Sequence, residues 1–204
     1  MLHFNTSIYP SQNHFWKTKL TRMSNPSQHS ICLWVKLPMT KAKALVFIYA
    51  FLSVACVAFV WSAAQNLPPV VASHFDLSGT PDATMPRDQF TKLFLAIMVL
   101  IPSSMAFLPA VISKLPPQMV NIPNRTYWLS PDRIEETKNI LQVYFSIFAC
   151  MLCCFMAVIF WLMVQANLHN PPQLSAQNLM VATGVFVVVT IIWSLRLSAR
   201  FKKV

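Results

Sequence analysis

The hydrophobic and polar positions of this chain form long blocks rather than a residue-by-residue alternation. Four blocks contain no Asp, Glu, Lys, Arg or His: residues 44–64, 93–113, 141–164 and 179–195. Each of the first two is 21 residues long, which as a helix spans about 32 Å and matches a hydrocarbon core of about 30 Å. Apolar runs of this length favour helices over the shorter, alternating strands of a membrane barrel. The pattern therefore predicts an all-α membrane protein with four transmembrane helices.

Two features modify this bundle. The second block contains Pro102 and Pro109, and a proline inside a helix removes a backbone hydrogen bond and bends the helix. Residues 1–42 are polar and basic without apolar periodicity, which predicts a disordered tail ahead of a transmembrane domain at residues 43–204. Met39 is an alternative start, because a chain beginning there would run directly into the first helix. The preceding residues would then be a misassigned start.

The net charge of +10 raises the question of an acidic partner such as a nucleic acid. With the N-terminus placed in the cytoplasm, only Arg87 and Lys92 of the 16 Lys and Arg residues fall on the outer side. This is the positive-inside distribution of a multi-pass protein whose two ends are both cytoplasmic. The charge therefore indicates topology, with the lipid bilayer as the partner, and argues against nucleic-acid binding.

The connection between the first two blocks, residues 65–91, holds the candidate chemistry. His74, Asp76 and Asp82 form the one cluster of acid–base or metal-capable side chains on the outer side, and an extended strand would place His74 and Asp76 on one face. The segment 78–81 predicts a turn, and Gly79 is one of two glycines in the chain, which suggests a positive φ there. The cluster is either a functional surface or a set of residues that only cap turns.

The apolar blocks contain no charged side chain. Ion-coupled transporters and intramembrane proteases place charged or catalytic side chains at membrane depth, so both classes are disfavoured. Cys150, Cys153 and Cys154 share one helical face, where packing is a far commoner role than a soft-metal site. We therefore predict no metal, no cofactor and no enzymatic activity.

The outer connection resembles a bacterial family. Its motif consists of a Leu-Pro pair, a His-aromatic-Asp group and a Gly-x-Pro-Asp group: Leu67, Pro68, His74, Phe75, Asp76, Gly79, Pro81 and Asp82. The motif is similar to a domain of unknown function in small bacterial membrane proteins. That domain also forms the N-terminal part of SdpI, the immunity protein against the sporulation-delaying toxin. The resemblance implies a bacterial inner-membrane protein, with SdpI-like immunity or signalling as an analogy.

A second segment, between the second and third blocks, resembles the four-helix members of the same group. It runs from residue 122 to residue 133 and contains Asn124, Arg125, Trp128 and Arg133. The resemblance implies a second candidate functional segment, on the cytoplasmic side.

Together these observations predict an integral membrane protein that binds or senses a peptide, lipid or protein through its first outside loop. His74, Asp76 and Asp82 would supply contacts, while Gly79 and Pro81 would shape the turn. One alternative is a metal-binding or hydrolytic enzyme that uses the same loop. The other is a small channel-like oligomer, for which the bent second helix is the only indication.

Overall fold

The structure, a computed structural model, describes residues 39–202, so residues 1–38 of the predicted tail lie outside the described residues. The elements are α1 (Met39–Ala64), β1 (Val70–Phe75), β2 (Pro81–Pro86), α2 (Arg87–Ile112), a 3₁₀ turn (Pro117–Met119), the short α3 (Arg125–Trp128), α4 (Ile134–Leu168) and α5 (Ala176–Lys202). In this part of the chain, α1, α2, α4 and α5 are long and apolar enough to cross a membrane. The predicted four-helix membrane fold is confirmed. The structure differs from the prediction in two respects. The first helix begins at Met39 and so includes residues 39–42, which were predicted to belong to the tail, and the first connection forms a two-stranded sheet.

Three of the long helices pack around the aromatic ring of Phe160 in α4. Phe160 is fully buried, and its ring centroid lies 5.0 Å from that of Phe94 and 6.0 Å from that of Phe90, both in α2. On its other side the centroid lies 6.0 Å from that of Phe59 in α1. Aromatic pairs at such separations are stabilising beyond the area that they bury. The core of the protein is therefore the contact of α1 and α2 with α4.

The last helix, α5, packs along α4. The ring of Phe186 stacks on Phe155 at 4.2 Å, and Trp193 stacks on Phe148 at 4.7 Å. The indole N–H of Trp193 also donates to the Tyr144 carbonyl at 3.0 Å. No residue in the most apolar stretch of α5 is buried. Most of α5 therefore presents an apolar surface outward, as a lipid-facing helix does.

Pro102 and Pro109 lie inside α2, which continues without a break from Arg87 to Ile112. The ring of Pro109 removes a backbone hydrogen bond and pushes the preceding turn away from itself. In that turn the Ala106 carbonyl accepts a hydrogen bond from the Gln142 amide of α4 at 3.1 Å. The proline-containing part of α2 is thus bonded to α4 by a polar side chain at membrane depth.

The bundle has two ends. We call the end that carries β1, β2 and residues 169–175 the hairpin end, and the end that carries residues 113–133 and the last turn of α5 the latch end. At 35 residues, α4 is longer than the roughly 20 residues that a membrane requires. Its first turn contains Glu135 and Glu136. The helix therefore extends beyond the apolar layer at the latch end.

Candidate functional site

The first connection folds into an antiparallel hairpin with a bulge. The strands pair from Val70 opposite Pro86 to Phe75 opposite Pro81, and the register shifts between Ala72 and His74 and again between His74 and Phe75. A bulge adds an unpaired residue to one strand and redirects the neighbouring side chains. The shift places His74 on the exposed face of the hairpin, while Phe75 remains buried.

His74 and Asp82 form a close pair on this exposed face. Nδ1 of His74 lies 2.6 Å from Oδ1 of Asp82, and the two side chains are 70% and 49% exposed. The sequence placed both residues in one candidate cluster, and the hairpin pairing brings them into contact. A hydrogen bond of this kind fixes the orientation of the imidazole ring and leaves its other nitrogen free to act.

Asp76 has a different place, in the turn between the strands. β1 ends at Phe75, so the strand face expected to be shared by His74 and Asp76 is not present. Oδ1 of Asp76 accepts hydrogen bonds from the Ser78 hydroxyl at 2.6 Å and from the backbone N–H groups of Ser78 at 2.8 Å and Thr80 at 2.9 Å. The Ser78 hydroxyl is the main reason, and the Thr80 N–H the next, that the pKa of Asp76 lies below its ordinary value. Asp76 is an ionised turn-capping residue.

Gly79 has the positive φ that its scarcity suggested, at +82°. It also touches the second connection at this end of the bundle, because its carbonyl accepts a hydrogen bond from the Leu174 N–H at 2.9 Å. A side-chain carbon at residue 79 would overlap the carbonyl oxygen of Leu174. Glycine is therefore required twice, once for the backbone conformation and once for the close approach. Pro81 follows this turn as the first residue of β2.

Asn167, near the end of α4, holds the other side of the hairpin. Its side-chain oxygen accepts from the Ala72 N–H at 2.6 Å, and its side-chain nitrogen donates to the Ala72 carbonyl at 3.0 Å. The same nitrogen donates to the Met163 carbonyl at 3.0 Å. Asn167 and Ala72 are both buried. One amide thus satisfies both backbone groups of Ala72, much as a neighbouring strand would.

With its turn bonded to Leu174 and its first strand bonded to Asn167, the hairpin exposes one face that these contacts do not use. The exposed part of the hairpin contains the His74–Asp82 pair on the strands and Leu77 in the turn, whose side chain is fully exposed. Residues 70–86 contain two carboxylates, Asp76 and Asp82, and no Lys or Arg. In a chain with a net charge of +10, the hairpin is therefore a local acidic surface with an apolar tip.

The described residues do not assemble a metal site. Across residues 39–202, no three His, Cys, Asp or Glu side chains lie close enough together to hold a metal ion. Cys56, Cys150, Cys153 and Cys154 are free thiols. Among the hydrogen bonds of this part of the chain, none links the second ring nitrogen of His74 to a hydroxyl or thiol. In the part of the chain that the structure describes, the His74–Asp82 pair is thus an oriented imidazole that is not hydrogen-bonded to a hydroxyl or thiol.

At the latch end, Asn124 and Trp128 hold the end of α5. Asn124 adopts a left-handed conformation with φ of 52°. Its amide nitrogen donates to the carbonyls of Phe201 at 3.2 Å and Lys202 at 3.0 Å. The indole N–H of the buried Trp128 donates to the Phe201 carbonyl at 2.9 Å. The last carbonyls of a helix have no hydrogen-bond donor within the helix. The side chains of Asn124 and Trp128 supply donors for those at the end of α5. We call this set of contacts the latch.

The two arginines of the same motif stabilise the surroundings of the latch. Arg133 lies 3.1 Å from Glu136, which also contacts Arg200 of α5 at 3.4 Å. The Arg133 guanidinium stacks over the ring of Tyr127 at 4.3 Å. Arg125 donates to the Gln118 carbonyl at 3.1 Å. The four residues predicted as a second functional segment therefore make contacts within the protein, and three of them tie the loop to α4 or α5.

Comparison with known proteins bears on the hairpin end. Residues 50–100 match a family described as a domain of unknown function, DUF1648. No curated protein and no solved structure matches the chain. The matched segment contains the second half of α1, the whole hairpin and the first half of α2. The match supports the resemblance to a domain of unknown function, and it covers the part of the chain in which the motif lies.

Two residues of the site were not predicted from the sequence. Asn167 is an amide that follows the third apolar block by three residues, and a polar side chain so close to an apolar block is the signal that could have indicated it. Leu174 carries no signal for its hydrogen bond to the hairpin, because that bond uses a backbone N–H that any residue other than proline provides. Both residues support the hairpin, while the predicted His74 and Asp82 lie on its free face.

Proposed function

We propose that this integral membrane protein binds a cationic peptide or protein partner through the exposed face of its hairpin, on the outer side of a bacterial inner membrane. The observation that carries the proposal is the combination of the His74–Asp82 pair with the fully exposed Leu77. The hairpin that bears them is hydrogen-bonded to Asn167 and Leu174. Exposed side chains that are held on a rigid element are well suited to recognition.

The chemistry of this face favours a basic partner with an apolar residue. Asp76 and Asp82 attract positive charge, and no Lys or Arg of residues 70–86 opposes them. Leu77 offers an apolar contact between the two carboxylates along the chain. A membrane-active cationic peptide has both properties, and electrostatic complementarity of this kind raises the rate and specificity of association. The resemblance to SdpI adds toxin immunity as an analogy for such a role.

A binding experiment tests this proposal. The full chain in lipid nanodiscs is titrated with a fluorescent synthetic peptide rich in Lys and Leu. Replacing Leu77 with Ser and Asp82 with Asn together should weaken binding about tenfold, because an anchor residue and a charge are lost from the centre of the contact.

The matched control is Asp88→Asn, which removes an exposed carboxylate at the same end of the bundle. Its affinity should stay within about twofold of the parent, as expected for a charge outside the contact. Equal weakening by Asp88→Asn would indicate general attraction to negative charge. Unchanged binding in the double variant would show that the hairpin face is not the binding surface.

The proposal also requires the hairpin end to face the cell exterior, with both chain ends in the cytoplasm. Alkaline phosphatase fused after residue 80 or residue 172 should be active, and fusions after residue 125 or at the C-terminus should be inactive. The expected asymmetry follows from the sequence, in which only Arg87 and Lys92 of the 16 Lys and Arg residues fall on the side of the hairpin. An active C-terminal fusion would contradict this orientation and the proposed binding side with it.

A further inference from the structure

A cleft at the latch end has the composition of a lipid site. It has a volume of about 260 Å³ and lies between the end of α2, the segment before α3, α4 and α5. Its lining is mainly apolar and includes Ile112, Val120, Ile122, Leu141, Phe145 and Leu197. Because Ile112 is the last residue of α2, the cleft lies where the apolar part of the bundle meets its polar end.

Three basic residues lie close in the chain to residues that line this cleft or bond across it. Lys114 precedes Leu115, which lines the cleft, and Lys202 follows Phe201, which lines it from α5. Arg125 is next to Asn124, whose amide is bonded to the Lys202 carbonyl, so the latch brings the backbones at Arg125 and Lys202 close together. All three basic residues are exposed.

The nearby carboxylates do not neutralise these cations. Glu136 is paired with Arg133 and Arg200, and Glu135 is paired with Lys138. Asp132 is exposed, and among the described residues it forms no ion pair with these cations. Within the described residues, Lys114, Arg125 and Lys202 form no ion pair with an acidic side chain. Cations without an ion-pair partner, close in the chain to the lining of an apolar cleft, complement a ligand with a negative head and an apolar tail.

We propose that this cleft binds one anionic phospholipid of the adjoining leaflet. One acyl chain would lie against the apolar lining, and the phosphate would lie beside Lys114, Arg125 and Lys202. The site is independent of the hairpin and of whatever the hairpin binds. The large apolar groove between α1, α4 and α5 carries no such assignment, because its lining has no charged group to select a ligand.

Native mass spectrometry of the full chain tests the proposal, with phosphatidylglycerol and phosphatidylcholine of identical acyl chains as probes. One phosphatidylglycerol should remain bound in preference to phosphatidylcholine. The double variant Lys114→Gln, Lys202→Gln should weaken that binding about 25-fold, at about fivefold for each cation. Both side chains are exposed, so the variant should fold.

The matched control is the double variant Lys41→Gln, Lys43→Gln, which removes two exposed cations of α1, a helix that does not line the cleft. It should retain the lipid. Equal loss in this control, or equal retention of both phospholipids, would overturn the proposal in favour of diffuse charge attraction.

A second pair of variants separates a lipid from a free phosphate. Leu197→Trp and Ser198→Phe fill the cleft from α5 and should displace phosphatidylglycerol without changing any charge. Inorganic phosphate that competes fully with the lipid, together with lipid binding unaffected in both variants, would show that the cleft holds no acyl chain. Loss of a cross-linked dimer in these variants, with lipid binding unchanged, would assign the cleft to a second copy of the chain.

Discussion

Asn167→Leu is expected to release the hairpin from α4 and to lower the free energy of unfolding by about 2–4 kcal/mol. Leucine has the same branched arrangement of heavy atoms as asparagine but offers no donor or acceptor, so the buried N–H and C=O of Ala72 would both lose their partner. Each buried backbone group left without a hydrogen bond costs about 1–3 kcal/mol. The loss is large compared with the roughly 5–15 kcal/mol that stabilises a typical domain.

The measurement combines thermal unfolding in detergent with hydrogen exchange of the hairpin. The Ala72 amide should lose its protection in Asn167→Leu, because its acceptor is removed, and the rest of β1 should exchange faster. Asn178→Ala is the control, since the side chain of Asn178 is exposed at the start of α5. Normal protection of Ala72 in Asn167→Leu would show that the hairpin is held by β-pairing alone and that the amide has no supporting role.

Gly79→Ala is expected to destabilise the hairpin end by a similar amount, about 2–4 kcal/mol. Part of the cost is the strain of a side chain at a φ of +82°, which is about 1–3 kcal/mol for residues held in such regions. The other part arises because the added carbon would overlap the Leu174 carbonyl. The second connection must then move away, and the hydrogen bond from the Leu174 N–H to Gly79 is lost.

Gly184→Ala provides a matched comparison for the same substitution. Gly184 lies in α5, and nothing stands within 4 Å of the position that its side chain would occupy. Alanine should there be neutral or stabilising by up to about 1 kcal/mol, because it favours the helix. Thermal unfolding of the two variants shows whether replacing glycine with alanine destabilises the protein at either position or only at Gly79. Equal stability of the two would mean that the Gly79–Leu174 approach is not essential.

These two variants distinguish the support of the hairpin from its exposed face. Asn167 and Gly79 fix the hairpin at opposite positions, one at β1 and one at the turn. Within the described residues, the side chains of His74, Leu77 and Asp82 make no hydrogen bond to Asn167 or Gly79, and they belong to the proposed binding face. Loss of binding with normal stability therefore identifies contact residues, and loss of both identifies residues of the support.

The candidate site was predicted from the sequence in part. The turn and the positive φ of Gly79 followed from local signals, since such turns require glycine where the backbone crosses to positive φ. The grouping of His74 with Asp76 did not hold, because β1 ends at Phe75 and the carboxylate of Asp76 is bonded to Ser78 and Thr80. The position of a bulge and the end of a strand depend on the pairing with the partner strand, so the sequence of one strand alone does not predict them.

The sequence by itself determined the four membrane helices, because the length of an apolar run is a local property and the bilayer sets the length required. It also determined which end of the bundle is basic. Only the tertiary structure decided what supports the hairpin and closes the latch. Asn167 meets Ala72 across a separation of 95 residues, and Trp128 meets Phe201 across 73. Such contacts depend on how the helices pack and where the connections cross, which no local pattern specifies.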